Sequence, residues 1–242
     1  MLHSQKFTSA FSDAGTAPRT LVEGAYLQLR RDIIEGRLAP REKLRVEHLK
    51  EQYQVGAGTL REALALLVSD ALVIGEGQRG FHVAPISLAD IEDITRTRVL
   101  LETEALRQSI KAGDDEWEGG LIAAFHKLGK TEEKLGSRAR HHIREWEERN
   151  RDFHEALISA CDSRWLRYLI GLLYRQSERY RHLAISAPSS VRDVHAEHAL
   201  ICEAALARDV KRANKALEQH ILLTFESIRR LLPELGNGAA QP

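Results

Sequence analysis

The stretch from Leu44 to Ala84 constrains this chain most. Val46, Leu49 and Tyr53 share one face of a short helical segment. Gly56-Ala57-Gly58 follows as a turn. Leu60, Ala63 or Leu64, Leu67 and Ala71 mark the inward face of a second helix, and Thr59 with Glu62 fits a capping box at its start. Two short β-prone runs, Leu72-Val73-Ile74 and Phe81-His82-Val83, flank a tip of Gly75-Glu76-Gly77-Gln78-Arg79-Gly80. Helix, tight turn, helix and glycine-tipped hairpin together outline a winged helix-turn-helix. In that arrangement the second helix enters the major groove of DNA. Upstream, Val22, Tyr26, Leu29 and Ile33 recur at helical spacing over 21–35, and Gly36 and Pro40 stop the helix.

Within this unit the candidate DNA contacts are Arg45, Thr59, Arg61, Arg79 and Gly80. Arg61, placed near the start of the second helix, reaches toward base edges, whereas Arg45 and Arg79 meet phosphate. The plainer alternative is a solvated Arg61 paired with Glu62 or Glu47, and an ordinary hairpin tip. Charge does not decide the matter. The chain has 35 basic and 35 acidic residues. Residues 1–85 hold eleven Lys and Arg against ten Asp and Glu, so a basic surface has to come from uneven placement.

Beyond Pro85 the pattern is helical throughout. Segments over 88–111, 116–135, 140–161, 164–184, 191–207 and 209–232 predict an antiparallel bundle. The expected fold class is therefore mainly α, a winged helix-turn-helix followed by an all-α antiparallel helical bundle. The expected organisation is an arm over 1–18, a DNA-binding domain over 19–85, a bundle over 86–234 and a tail over 235–242. Residues 1–18 lack the apolar core of a signal peptide, and no apolar run reaches the ~18 residues of a membrane span. Cys161 and Cys202 form no CxxC pair and read as reduced thiols. A cytoplasmic protein is expected.

The bundle carries polar residues on its apolar stripes. Asn150 and His154, one turn apart, sit on or beside the stripe Ile143, Trp146, Phe153, Leu157 and Cys161. His198 falls between Val194 and Ile201, and His220 between Leu217 and Thr224. Three helices thus each aim an imidazole at one interior. Burying such groups without partners is costly, and a divalent metal, Zn or Ni by imidazole preference, would satisfy all three. The alternative is three hydrogen-bonded core histidines. His195 lies beside the stripe, in reach of a supporting role. Arg98 lies on the stripe Ile91, Ile94, Leu101 and Ala105 and needs an anion. That anion is either its i+4 neighbour Glu102 or a ligand carboxylate held by the guanidinium fork.

These residues resemble the GntR family of bacterial regulators, in the FadR-type branch with an FCD effector domain. The resemblance rests on Tyr26-x-x-Leu29, Ile33, Gly36, Pro40 and Lys43-Leu44, then Arg61-Glu62-Ala63-Leu64, Leu67, Leu72-Val73 and Gly80-x-x-Val83. In the bundle it rests on Arg98-x-x-Leu101-Glu102, Asn150-x-x-x-His154, Glu197-His198 and His220. GAGTLREAL, GQRGFHVAPIS and GDDEWE are most similar to a carbon-starvation branch that controls glutarate and γ-aminobutyrate use. The resemblance implies a homodimer on palindromic operator DNA. It also implies a metal held by Asn150, His154, His198 and His220, and a small carboxylate effector at Arg98. Two departures stand out. Gly56-Ala57 replaces a common Ser-Arg, removing one DNA-contacting arginine, and Asn150 replaces a common aspartate at the first metal position. A repressor released by its effector is the expected function. A metal-dependent enzyme using the same histidines and a bound water is the alternative. It leaves the winged segment unused and lacks an obvious inward carboxylate as general base.

Overall fold

A computed structural model describes residues 18–77, 80–134, 140–186 and 192–238. The winged domain begins with α1, Leu21–Ile34, whose N-cap Thr20 accepts a hydrogen bond from the Glu23 amide. Gly36 follows the helix at φ +74°, the left-handed position that closes a helix. Helices α2 (Val46–Tyr53) and α3 (Ala57–Ser69) form the helix-turn-helix. α3 starts two residues before Thr59. Gly56 stands at its N-cap without a side-chain hydrogen bond, so the expected capping box at Thr59 does not form. Leu60, Ala63, Leu64 and Leu67 are buried as expected. Ala71 is exposed at φ +55°, because the helix has already ended and Leu72 takes the inward position.

Strands β2 (Val73–Gly75) and β3 (Phe81–Val83) form the wing hairpin. A third strand, β1 (Lys43–Leu44), pairs antiparallel with β3, so the sheet order is β1-β3-β2. Two residues carry no period-2 alternation, which is why this strand was not legible in the sequence. α1 packs on α3 over one core that includes Leu29, Leu60, Leu64, Leu67 and Val83.

Ser87 caps α4 (Leu88–Ala112), its hydroxyl accepting from the Asp90 amide. α5 (Asp115–Lys134), α6 (Arg140–Leu157), α7 (Arg164–Ser186), α8 (Val194–Leu206) and α9 (Val210–Gly238) complete the bundle. α9 runs on to Gly238, into the segment read as a tail. α4 packs against α7 and α9, α5 against α6 and α8, and α8 against α9. Their shared core includes Leu106, Leu121, Leu128, Phe153, Ile201 and Leu217. No helix among the described residues is long and apolar enough to cross a membrane.

The two domains meet on α7. Gln176 Nε2 donates to the Asp70 carbonyl, Arg179 Nη2 donates to the Ala84 carbonyl at 2.8 Å, and Glu178 pairs with Arg30 of α1.

Gly113 ends α4 against the Trp117 ring. A Cβ there would lie 2.4 Å from Trp117 Cε3 and 2.8 Å from the Ser109 carbonyl oxygen. Trp117 has little room to move, because it is buried and its Nε1 donates to the Ala156 carbonyl at 3.0 Å. Gly113→Ala should therefore destabilise the protein by about 1–3 kcal/mol through overpacking. Urea denaturation monitored by Trp fluorescence measures it, and an unchanged midpoint would contradict this packing.

Candidate functional site

The candidate DNA contacts are positioned by the helix-turn-helix and the wing. Arg61 is exposed on α3 and Arg45 is exposed at the N-cap of α2. Because α3 begins at Ala57, Arg61 is the fifth residue of the helix rather than the second. Thr59 is half-buried on the first turn. At the wing tip Gly80 adopts φ +90°, and the Glu76 amide donates to its carbonyl at 2.9 Å. Only glycine takes that φ without strain. Arg79 lies outside the described residues.

In the bundle, α6, α8 and α9 bring His154, His198 and His220 together. One nitrogen from each ring lies within 4.8 Å of the others. All three are buried, His198 completely. The ring centroids of His198 and His220 are 4.6 Å apart, and those of His154 and His220 are 5.3 Å apart. Burial and charged neighbours disfavour protonation of His154 and His220. Burial first, then the neighbouring imidazoles and Arg98, holds His220 well below its ordinary range. Burial likewise lowers His154, to about 4, against the opposing pull of Glu102. Neutral imidazoles have lone pairs to offer a metal.

The outer nitrogens are matched to carboxylates. His198 Nδ1 lies 2.8 Å from Glu132 Oε1, and His220 Nδ1 lies 2.8 Å from Glu197 Oε2. His154 Nδ1 is 3.7 Å from Glu102 Oε2. An Nδ1–H donated outward leaves the Nε2 lone pair free. His198 Nε2 is indeed buried without a hydrogen-bond partner. Asn150 is arranged in the same way. Its Nδ2 donates to the Tyr174 hydroxyl at 2.6 Å, and its buried Oδ1 has no partner. A buried polar atom left unmatched costs about 1–3 kcal/mol. Three converging imidazoles, one with an orphaned nitrogen, fit a divalent cation, and Asn150, one turn before His154 on α6, carries an orphaned amide oxygen.

Several of these partners escaped the sequence reading. Glu132, on α5, holds His198 and also His195, whose Nδ1 is 2.6 Å from Oε2. His195 thus supports the cluster through Glu132, as its place beside the stripe suggested. Burial pushes the Glu132 carboxyl up, but the two histidines outweigh it and hold it below the usual range. Glu197 is gripped by Arg192, whose Nε donates to Oε1 at 2.6 Å. No apolar stripe pointed to Glu132 or Arg192. The only signal for Glu197 was its place next to His198.

Arg98 is buried and takes Glu102 as its anion. Its Nε donates to Oε1 at 2.6 Å, and its Nη1 donates to Ser177 Oγ at 3.1 Å. Burial raises the Glu102 carboxyl, but Arg98 and His154 outweigh it and bring it to about 2. Glu102 therefore touches both Arg98 and His154. Arg181 Nη1 donates to the same Ser177 hydroxyl at 2.7 Å, and both guanidiniums lie over the Tyr174 ring.

Comparison with known proteins accounts for both halves of this arrangement. The profile of the bacterial regulatory proteins of the gntR family matches residues 21–83, and that of the FCD domain matches residues 93–223. The chain is 45% identical over 225 residues to BphR of Paraburkholderia xenovorans (strain LB400), an uncharacterized HTH-type transcriptional regulator, covering 91% of this chain and 92% of that protein. It is 34% identical over 211 residues to the HTH-type transcriptional repressor GlaR of Escherichia coli (strain K12), covering 86% and 95%. The E. coli McbR/YncC structure shares the fold at TM-score 0.72 and 21% identity, over 88% of this chain and 99% of that one. These sequence relatives are transcriptional regulators, so the enzyme alternative has no support among them. The chain belongs to the GntR family of bacterial transcriptional regulators and carries an FCD domain as its helical bundle.

Proposed function

We propose that this protein is a cytoplasmic, dimeric repressor whose grip on operator DNA is relaxed by a small carboxylate bound in a metal-containing bundle. The observation that carries this reading is the convergence of the buried His154, His198 and His220, with His198 Nε2 left without a partner. Repression is what GlaR, at 34% identity, is named for. A second copy would place two winged domains on one palindrome. It would also cover Trp165, Tyr168 and Leu169, which are exposed along α7.

His154, His198 and His220 would hold the ion, with Asn150 Oδ1 as a fourth, neutral ligand. An imidazole-rich set suits Zn²⁺ or Ni²⁺. The ion would supply open positions for an effector oxygen, and Arg98 would hold the other end of the effector. Because Arg98 already has Glu102, an entering carboxylate competes with that residue. Sequence detail resembling the carbon-starvation repressor CsiR favours a dicarboxylate of about five carbons, such as glutarate. Binding shifts the protein between two states only by the difference in affinity for them.

Three outcomes follow from this reading. Operator selected from random duplex DNA should bind Arg61→Ala more weakly by about 1–3 kcal/mol, if Arg61 reads a base. Gel-shift titration at fixed salt measures this, and unchanged affinity in the folded variant would remove Arg61 from the base-reading set. Elemental analysis should find one Zn²⁺ or Ni²⁺ per chain, absent from His198→Ala. Glu132→Gln should weaken metal binding by about 10–100-fold, since it orients a ligand without touching the ion. Metal-stripped protein that gains no thermal stability from either ion would establish three core histidines instead. Calorimetry with glutarate, 2-hydroxyglutarate and succinate tests the effector. Arg98→Lys keeps the charge but loses the planar fork, so it should bind the effective acid more weakly. Equal binding by wild type and variant would make Arg98 purely structural.

A further inference from the structure

Helix α7 touches both the candidate effector site and the winged domain. Ser177, Arg181 and Tyr174 face the bundle interior. Arg175, Arg179 and Gln176 face the winged domain, and Glu178 stands between the two sets on the helix circumference. Each side is held by specific bonds. On the inner side, Ser177 Oγ accepts from both Arg98 and Arg181, and Arg181 Nη2 donates to Glu147 Oε2 at 3.0 Å. On the outer side, Gln176 donates to the Asp70 carbonyl at the end of α3, Arg179 donates to the Ala84 carbonyl, and Glu178 pairs with Arg30 of α1. Arg175 Nη2 also lies 3.5 Å from Asp70 Oδ1.

These contacts form one buried chain of charges. It starts at His154 and passes through Glu102, Arg98, Ser177 and Arg181 to Glu147. From Glu147 to Glu178 the link is the electrostatic pull of Arg181 and Arg151 on both carboxylates rather than a hydrogen bond, and the buried Arg151 Nη2 has no hydrogen-bond partner. Glu178 then ends the chain on Arg30. The chain has four guanidiniums, Arg30, Arg98, Arg151 and Arg181, against three carboxylates. Such a network is poorly screened, and loss of one partner leaves a buried charge exposed to its neighbours. An added carboxylate at Arg98 would displace Glu102 or Ser177. Arg181 shares Ser177 with Arg98, so it must then readjust toward Glu147 and Glu178.

We propose that α7 is the coupling element of this protein: the state of Arg98 is transmitted through Ser177, Arg181 and Glu147 to the Glu178–Arg30 clasp that seats the winged domain. The effector role of Arg98 rests on the reading given above, but the wiring does not. Spatial continuity alone does not demonstrate coupling, so the test is a mutant cycle that needs neither effector nor DNA.

Amide hydrogen exchange is measured by mass spectrometry on the full chain for wild type, Arg98→Lys, Glu178→Gln and the double variant. Arg98→Lys should accelerate exchange in α1, over 25–34, by about threefold or more, a coupling at the low end for networked residues. In the Glu178→Gln background the same substitution should leave α1 exchange unchanged. The inference is overturned if Arg98→Lys alters exchange only in the bundle, or alters α1 equally in both backgrounds. If either variant fails to fold by circular dichroism, Glu102→Gln replaces the first and Arg30→Lys the second. Coupling without glutarate binding would remove the effector assignment and keep the wiring. An effector response with an additive cycle would do the reverse.

Discussion

Three imidazoles buried among helices present six ring nitrogens that need partners. The bundle meets this demand asymmetrically. Glu132 and Glu197 hydrogen-bond the Nδ1 edges of His198 and His220, and Glu102 stands behind His154. One nitrogen of each ring lies within 4.8 Å of the others, and His198 Nε2 is left unmatched. The carboxylates hydrogen-bonded to His198 and His220 orient both rings, the arrangement that suits a metal ligand. The carboxylates are held in turn. Arg192 grips Glu197, Arg98 grips Glu102, and Glu132 is shared with His195. Asn150 follows the same logic through the Tyr174 hydroxyl.

This outward chain of supports leads to α7, the helix on which the bundle and the winged domain meet. Glu102 belongs to the support of His154 and to the ion pair of Arg98. Arg98 shares Ser177 with Arg181 on α7. α7 then meets the winged domain at Asp70, Ala84 and Arg30, which lie at the end of α3, next to the interdomain linker and within α1. A change at the polar centre therefore has short paths to the seat of the DNA-reading unit. Packed, charged interiors respond to such changes in steps rather than by gradual deformation, because close packing leaves no room between arrangements.

Much of this was legible in the sequence, and the omissions have physical reasons. Helical periodicity placed α1, α2 and α4 within a residue of their observed bounds. It also put His154, His198 and His220 inward, because a stripe interrupted by a polar residue is visible at any length. Arg98 and Glu102 were readable as an i, i+4 pair. The start of α3 was not. Thr59 carries a capping signature, yet the backbone enters the helix at Gly56, where no side chain advertises it. Strand β1 was too short to show alternation. Glu132 lies 66 residues from His198 and in a charged stretch, where one glutamate looks like any other. Ser177 and Arg181 sit in the run Arg175-Gln176-Ser177-Glu178-Arg179-Tyr180-Arg181, which reads as solvated surface. Ser177 and Arg181 are buried by packing inside the bundle, and Gln176 and Arg179 by the winged domain, tertiary events that no local pattern encodes.

The central claim is that the three histidines present their inner nitrogens to one ion while carboxylates hold their outer edges. X-ray absorption at the metal K-edge of protein purified without added chelator tests it most directly. The account predicts a Zn or Ni edge with about three imidazole nitrogens at about 2.0–2.1 Å and the remaining ligands oxygen. A first shell of oxygen alone, or of at most one imidazole, would contradict it.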